Sequence, residues 1–266
     1  MLELDFAQLS DTGRVRDHNE DFLGFVAPRN LGQTRSHGWL FVVADGVGGQ
    51  DLGEVASRSA VECMLEGFRS AEPGEPLGSV LPRLVQAANQ RVYETGRAAG
   101  PGGVRMATTV VACALRFDRV VVAHVGDSRC YLIRRGQASA LTRDHTVVND
   151  QVRLGVMSAR EAEKAETRHV LNRSLGNDLF VNVDTSEHQL LPGDVLLLCS
   201  DGLHGVLSDS EVADVVSRNA DLNASAQRLV DLANQRDGGD NVTVQLIRVR
   251  SVERIGMYRG RPYKLR

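Results

Sequence analysis

The chain has 266 residues, 42% of them hydrophobic and 24% charged, and 31 Lys and Arg set against 34 Asp and Glu leave a net charge of −3. That balance gives a nucleic-acid polyanion no reason to bind the domain as a whole, and the longest apolar runs fall short of the roughly 18 residues of a membrane span. The length suits one large domain, which buries roughly 70–75% of the surface its unfolded chain exposes and needs no disulfide or metal staple to fold. The cysteines Cys63, Cys113, Cys130 and Cys199 form no C-x-x-C pair, and Cys113 and Cys199 stand in apolar strand-like runs as buried, reduced thiols do. The first residues carry acids at once, without a basic segment and an apolar one behind it, so no signal peptide is expected and the expected location is the cytoplasm.

In chain order, residues 2–9 alternate apolar and polar as a half-buried strand does, and 39–44 form a continuous apolar run that reads as a second strand. Two helices follow. Residues 52–68 place Val55, Ala56, Ser59, Ala60, Cys63 and Met64 on one stripe, with Pro73, Gly74 and Pro76 closing the segment. Residues 77–96 place Leu81, Leu84, Val85, Ala88 and Val92 on one face. The middle is strand-rich: 108–115, 120–125, 129–134 and 138–141 are short runs with brief turns, and Arg135-Gly136-Gln137 reads as a hairpin turn. The polar stretch 144–178 is expected to be mainly helical. Strands at 180–188 and 194–199, helices at 208–217 and 225–235 and a last strand at 242–249 complete the pattern.

Strands joined by short turns imply antiparallel pairing, and helices in consecutive pairs argue against a doubly wound parallel sheet. The expected fold class is therefore α+β, an αββα sandwich of two packed, mainly antiparallel sheets flanked by helices. From 248 to 266 there are seven Arg or Lys against one acid, Glu253, so 250–266 reads as a basic, solvated, partly ordered C-terminal tail behind a domain of 1–249.

Aspartates punctuate the apolar runs. The run 39–44 leads into Asp45-Gly46, 120–125 into Gly126-Asp127-Ser128, and 196–199 into Ser200-Asp201-Gly202. Gly238-Gly239-Asp240-Asn241 precedes 242–249, and Glu20-Asp21 precedes the apolar 22–26. One Asp-Gly beside a strand is ordinarily a turn. Five such acidic positions suggest strand ends meeting at one edge of a sandwich, where like charges would crowd unless cations neutralise them. The candidate ligands are hard oxygens with no Cys or His among them, which disfavours zinc and favours Mg²⁺ or Mn²⁺. A carboxylate shared between two such ions would hold a water acidic enough to attack an electrophile at neutral pH. Arg16, five residues before Asp21, is the natural grip for a phosphoryl group, because a guanidinium can bind two oxygens at once and Lys cannot. His145 could donate a proton, although a hydrogen-bonded structural role is the simpler expectation. P-loop, zincin and nucleophile-elbow motifs are missing.

These residues, in this order, resemble the metal-dependent protein phosphatase family (protein phosphatase type 2C), especially its compact bacterial members. The matching pieces are Ser10-Asp11-x-Gly13-x-Val15-Arg16-x-x-Asn19-Glu20-Asp21, Val43-Ala44-Asp45-Gly46-Val47-Gly48-Gly49, Thr108-Thr109 and Val125-Gly126-Asp127-Ser128-Arg129. Leu141-Thr142-x-Asp144-His145, Ser200-Asp201-Gly202-Leu203 and Asp240-Asn241-Val242-Thr243 complete the set. The resemblance implies hydrolysis of phosphoserine and phosphothreonine in proteins by a water activated by two Mn²⁺ or Mg²⁺ ions, with a weaker third ion beside them. It implies that Asp45 bridges both core ions, with the Gly46 carbonyl on one, while Asp201 and Asp240 complete the other. Asp21 and Glu20 would act mostly through coordinated water, Asp127 would share the third ion with Asp201, and Arg16 would bind phosphate, leaving Arg16, Asp45 and Asp201 as the catalytic set.

Residues about 147–172 would form a flap beside the site. Val47 stands where many eukaryotic members have the His proposed as general acid, so the resemblance leaves the acid unnamed. The implied partners are phosphoproteins, above all a bacterial Ser/Thr kinase of eukaryotic type and its substrates, and the implied state is a monomer. A phosphatase for one regulatory partner is a rival on the same fold. A non-catalytic phosphoprotein-binding module would have a damaged acid set, and a metal-dependent nuclease would need a basic surface around the site.

Overall fold

The apolar runs of the middle and late sequence become central strands because both of their faces are covered, which removes the polar alternation of a sheet with one wet face. The structure is a computed structural model and describes residues 1–47, 52–99, 103–162, 165–258 and 261–264. The chain opens with β1 (Glu3–Asp11), β2 (Asp21–Val26), α1 (Leu31–Ser36) and β3 (Trp39–Asp45), then the long helices α2 (Gly53–Arg69) and α3 (Leu77–Ala98). Four strands follow, β4 (Val110–Arg116), β5 (Arg119–Val125), β6 (Arg129–Arg134) and β7 (Gln137–Ala140). Short helices α4 (Val147–Arg153) and α5 (Ala159–Ala162) precede β8 (Asp184–Gln189), β9 (Val195–Cys199) and α6 (Asp201–His204). Helices α7 (Asp209–Arg218) and α8 (Leu222–Arg236), strand β10 (Val242–Ser251) and a ribbon of β11 (Ile255–Tyr258) and β12 (Arg261–Lys264) end the chain.

The two main sheets run β1-β10-β9-β6-β7 and β2-β3-β4-β5-β8, with antiparallel pairing throughout. Three apolar layers hold them. Phe41, Val43, Cys113, Val122, Leu196, Leu198 and Ile247 fill the space between the sheets. Val42, Ala44, Ala112 and Ala123 turn the other way, onto Met64 and Phe68 of α2 and Leu81, Leu84 and Val85 of α3. On the opposite side Leu197, Cys199, Val244 and Leu246 pack on Val212 and Val216 of α7 and Leu229 and Val230 of α8. Alternate residues of one strand thus serve different layers, the period-2 geometry that makes the αββα sandwich. Cys113, Cys130 and Cys199 are buried and free, and Cys63 is half-buried and free. Among the described residues no helix is long and apolar enough to cross a membrane.

Three expectations need correction. The strand expected at 180–188 begins only at Asp184, because the backbone before it is held by side chains instead of a strand: Gln86 donates to the Leu179 carbonyl, Asn89 to those of Asp178 and Leu179, and Gln86 Oε1 accepts from Val181 N–H. The stretch 144–178 is helical only in α4 and α5 among its described residues, Glu163 and Lys164 lying outside them. Its two ends instead pair with each other, Val147 N–H donating to Val170 O and Thr146 bridging to Leu171. Finally, β10 runs on to Ser251, and backbone pairing of Ile255 with Lys264 makes a ribbon within the expected tail. The Arg135–Gly136 turn does join β6 to β7, with Arg134 paired to Gln137.

Candidate metal centre

Strand direction gathers the acids. β3 and β5 end, and β2 and β4 begin, at one edge of their sheet, while β9 ends and β6 and β10 begin at the same edge of the other. Asp21 opens β2 directly opposite Asp45, which closes β3. Asp127 sits where the chain crosses from β5 to β6, Asp201 starts α6 after β9, and Asp240 precedes β10. The edge is tightly built: a Cβ on Gly202 would stand 2.0 Å from the carbonyl oxygen of Asn241, so only glycine lets the turn after β9 lie against the start of β10.

Small polar side chains fix the backbones that carry the acids. Thr109 Oγ1 accepts from Asp45 N–H at 3.1 Å, and Thr108 Oγ1 donates to Asp45 O at 2.7 Å. Gly46 N–H donates to Glu20 O at 3.1 Å, placing the Gly46 peptide at the same edge. Asn241 staples the first loop: its Oδ1 accepts from Glu20 N–H, and its Nδ2 donates to the carbonyls of Thr12 and His18. Arg16 arrives on that loop, its Nη2 lying 3.0 Å and 3.1 Å from the two oxygens of Asp240. Arg16 and Asp240 each keep about 41% of their side-chain surface exposed, so this end of the edge is open to solvent. Gly48 and Gly49 of the Asp-Gly motif lie outside the described residues.

The electrostatics are those of an acid cluster short of positive charge. Burial, with the charges of Asp201 and Asp240 adding to it, raises Asp21 from an ordinary 3.8 to about 7 against its hydrogen bonds from Ser200 and Thr243. Burial, then the charges of Asp21, Asp201, Asp127 and Asp240, puts Asp45 well above the usual carboxylate range. Burial and the Asp201 charge raise Asp127 to about 8, and the same two causes raise Asp240. Burial also raises Glu20. Asp201 is the exception. Burial acts to raise it, but the His169 hydrogen bond, the charges of His204 and His169 and an Asp45 hydrogen bond together lower it.

Two oxygens show what fits here. Asp21 Oδ2 accepts from Ser200 Oγ at 2.7 Å, while Asp21 Oδ1 is buried with no partner among the described residues. Burial of this carboxyl among like charges disfavours its ionised form, which hard divalent cations among these oxygens would relieve. The residues present therefore fit Mn²⁺ or Mg²⁺.

Two histidines that sequence reasoning passed over stand at this edge. His169 places Nδ1 3.5 Å from Asp201 Oδ2, and that hydrogen bond raises its pKa against partial burial. His204 Nε2 donates to the Asp127 carbonyl at 2.9 Å, and burial lowers its pKa to about 4. No spacing in Arg168-His169-Val170 marks the first; the second was legible only as the last residue of a helical turn begun by Asp201.

His145 lies elsewhere. It is 6% exposed, stacks on His124 at 4.6 Å between ring centroids, and points Nε2 at Asp184 Oδ2, 3.3 Å away. Although His124, His145 and Asp184 could converge on an ion, the Gly126 N–H donates to His145 Nδ1 at 3.0 Å and Arg173 Nη1 lies 3.1 Å from His145 Nε2, so both ring nitrogens already have protein partners. Arg173 Nη1 already holds Asp184 Oδ1 at 2.7 Å. This cluster is a hydrogen-bonded brace.

A carboxyl raised in the folded chain keeps its proton where the unfolded chain has lost it, so stability falls as pH rises from the ordinary value through the folded one. Buried His124, His145 and His204, all lowered, act in the opposite sense, but only below about pH 6.5. The protein stripped of divalent ions should therefore lose melting temperature between about pH 6.5 and about pH 8, and Mn²⁺ should flatten that slope. A flat profile in the stripped protein would contradict the crowding.

The sequence profile of the family described as Protein phosphatase 2C matches residues 15–243. A serine/threonine phosphatase stp of Listeria welshimeri is 34% identical over 257 residues, covering 95% of this chain and 96% of that protein. The Mycobacterium tuberculosis serine/threonine phosphatase PstP/Ppp superposes with a TM-score of 0.82 at 32% identity, over 94% of this chain and 100% of that one. A PstP catalytic domain in complex with two manganese ions superposes with a TM-score of 0.79, also at 32% identity and over 94% and 100% of the two chains. The chain belongs to the protein phosphatase 2C family.

Proposed function

We propose that the chain is a metal-dependent protein serine/threonine phosphatase that acts in the cytoplasm as a monomer and opposes a bacterial Ser/Thr kinase of eukaryotic type. The observation that carries the reading is the convergence of Asp21, Asp45, Asp127, Asp201 and Asp240 on one edge that Arg16 also reaches, with a buried Asp21 oxygen left without a partner among the described residues. The catalytic domain is taken as 1–249, with about 147–172 as the flap beside the site and 250–266 as a basic C-terminal tail.

In this reading Asp45, the Gly46 carbonyl, Asp201 and Asp240 would hold two core ions, Asp127 with Asp201 would hold a weaker one, and Glu20 and Asp21 would support them through water. When bound, such a pair supplies Lewis acidity and an acidified water for in-line attack at phosphorus, which needs no phosphoenzyme. Arg16 grips two phosphate oxygens and aligns the phosphorus at the edge. Val47 has no proton to give, and His145 has both nitrogens engaged away from the edge, so neither serves the leaving oxygen. The complete acid set argues against a non-catalytic binding module. Acids, and not a basic surface, ring the site, which argues against a nuclease.

Hydrolysis of phosphoserine and phosphothreonine peptides should cease in EDTA and return with Mn²⁺ or Mg²⁺; recovery with Zn²⁺ alone would contradict an all-oxygen centre. Arg16→Ala should remove a charged hydrogen-bonding partner of about 1.5–3 kcal/mol, a KM for phosphopeptides raised roughly 10–100-fold, and Arg16→Lys should recover part of that loss. Unchanged KM and unchanged inhibition by inorganic phosphate in both variants would make Arg16 a surface residue.

A further inference from the structure

The turn that presents Asp127 is held by a residue far away in sequence. Gly126 has φ +104°, and a Cβ there would stand 2.6 Å from the Thr109 side chain, so the crossing from β5 to β6 takes a path that only glycine allows. Both hydrogen-bonding groups of the Gly126 backbone go to one partner. Its N–H donates to His145 Nδ1 at 3.0 Å, and its carbonyl accepts from His145 N–H at 2.9 Å. Next along the turn, Ser128 Oγ and Thr109 Oγ1 share a hydrogen bond of 2.7 Å, and His204 holds the Asp127 carbonyl.

The same residue also grips the flap. The His145 carbonyl accepts from Asn172 N–H at 3.0 Å, and Asn172 Nδ2 donates to the Thr146 carbonyl at 3.3 Å. His145 Nε2 and Arg173 Nη1 converge on the two oxygens of Asp184 on β8. His124 stacks on the ring with 13° between the planes, leaving little freedom to swing. His145 thus links three pieces: the turn bearing Asp127, the exit of the flap at 172–173, and the edge strand β8.

We infer that His145 is a positioning residue, which sets the aim of Asp127 through Nδ1 and fastens the flap exit to the same turn through Nε2 and its carbonyl. The flap and the rim carboxylate then move as one unit, with no part for His145 in proton transfer. The inference rests on Asp127 as a ligand of the weaker ion, and partners in the second sphere of a metal site are worth about 10–100-fold in affinity.

Two isosteric variants separate the two sides of the ring. Asn at 145 puts an amide oxygen close to the Nδ1 position, keeping the acceptor for Gly126 but losing the reach to Asp184. Gln at 145 reaches toward the Nε2 position and gives up that acceptor. Mn²⁺ titration by calorimetry, together with hydrogen exchange of the amides at 170–173, reads both. His145→Gln should weaken the low-affinity Mn²⁺ by about tenfold or more and leave two tight ions in place. His145→Asn should keep that ion and speed exchange at 170–173. Asp184→Asn, at a half-exposed position that the fold tolerates, should likewise speed exchange there without loss of the ion.

Native weak-ion affinity in His145→Gln, or native exchange in Asp184→Asn, would overturn the inference. Asp127→Ala serves as reference. If it keeps the weak ion, the assignment of Asp127 is wrong and the inference falls with it; if it loses the ion while His145→Gln retains it, the inference alone is wrong.

Discussion

The burial of like charges together at one edge of the sandwich is the constraint from which the rest of the structure follows. Asp21, Asp45, Asp127 and Asp240 are all pushed above the ordinary carboxylate range, with burial as the leading cause in each. A fold does not keep four such groups together for stability, because their desolvation and mutual repulsion both act against the compact state. Cations offset both. The sandwich supplies the rigidity: three apolar layers fix the strands, and the strand ends fix the acids.

Around that centre the second tier of residues is small and polar. Thr108, Thr109, Ser200 and Asn241 direct their hydroxyls or amide at backbones and carboxylates of the edge. Each satisfies a buried group that would otherwise be costly, and each sets the direction of a neighbouring acid. Beyond this tier His169 reaches Asp201 and His145 holds the Asp127 turn.

Much of this was legible because burial on both faces leaves a plain signature. The runs ending at Asp45 and Asp201 are continuously apolar since their alternate residues feed two different layers. A strand end followed by an acid is therefore easy to see. α2 and α3 were legible from their apolar stripes, although α2 buries Ser57 and Phe68 as well. The polar stretch 144–178 was not legible. Its residues are held by tertiary hydrogen bonds such as Asn172 to His145 and Arg173 to Asp184, which no local period encodes. The late start of β8 has the same origin, since Gln86 and Asn89 of α3 take the backbone groups a strand partner would have used. His169 escaped because its partner, Asp201, is 32 positions away by residue number.

The central claim is that these carboxylates form a centre for two bridged ions and a weaker third. The most direct measurement is anomalous diffraction at the manganese edge from crystals grown with Mn²⁺. The account predicts two strong peaks flanking Asp45, one of them also beside Asp201 and Asp240, and a weaker peak at Asp127. Absence of a peak at Asp45, or a strong one between His124, His145 and Asp184, would contradict it.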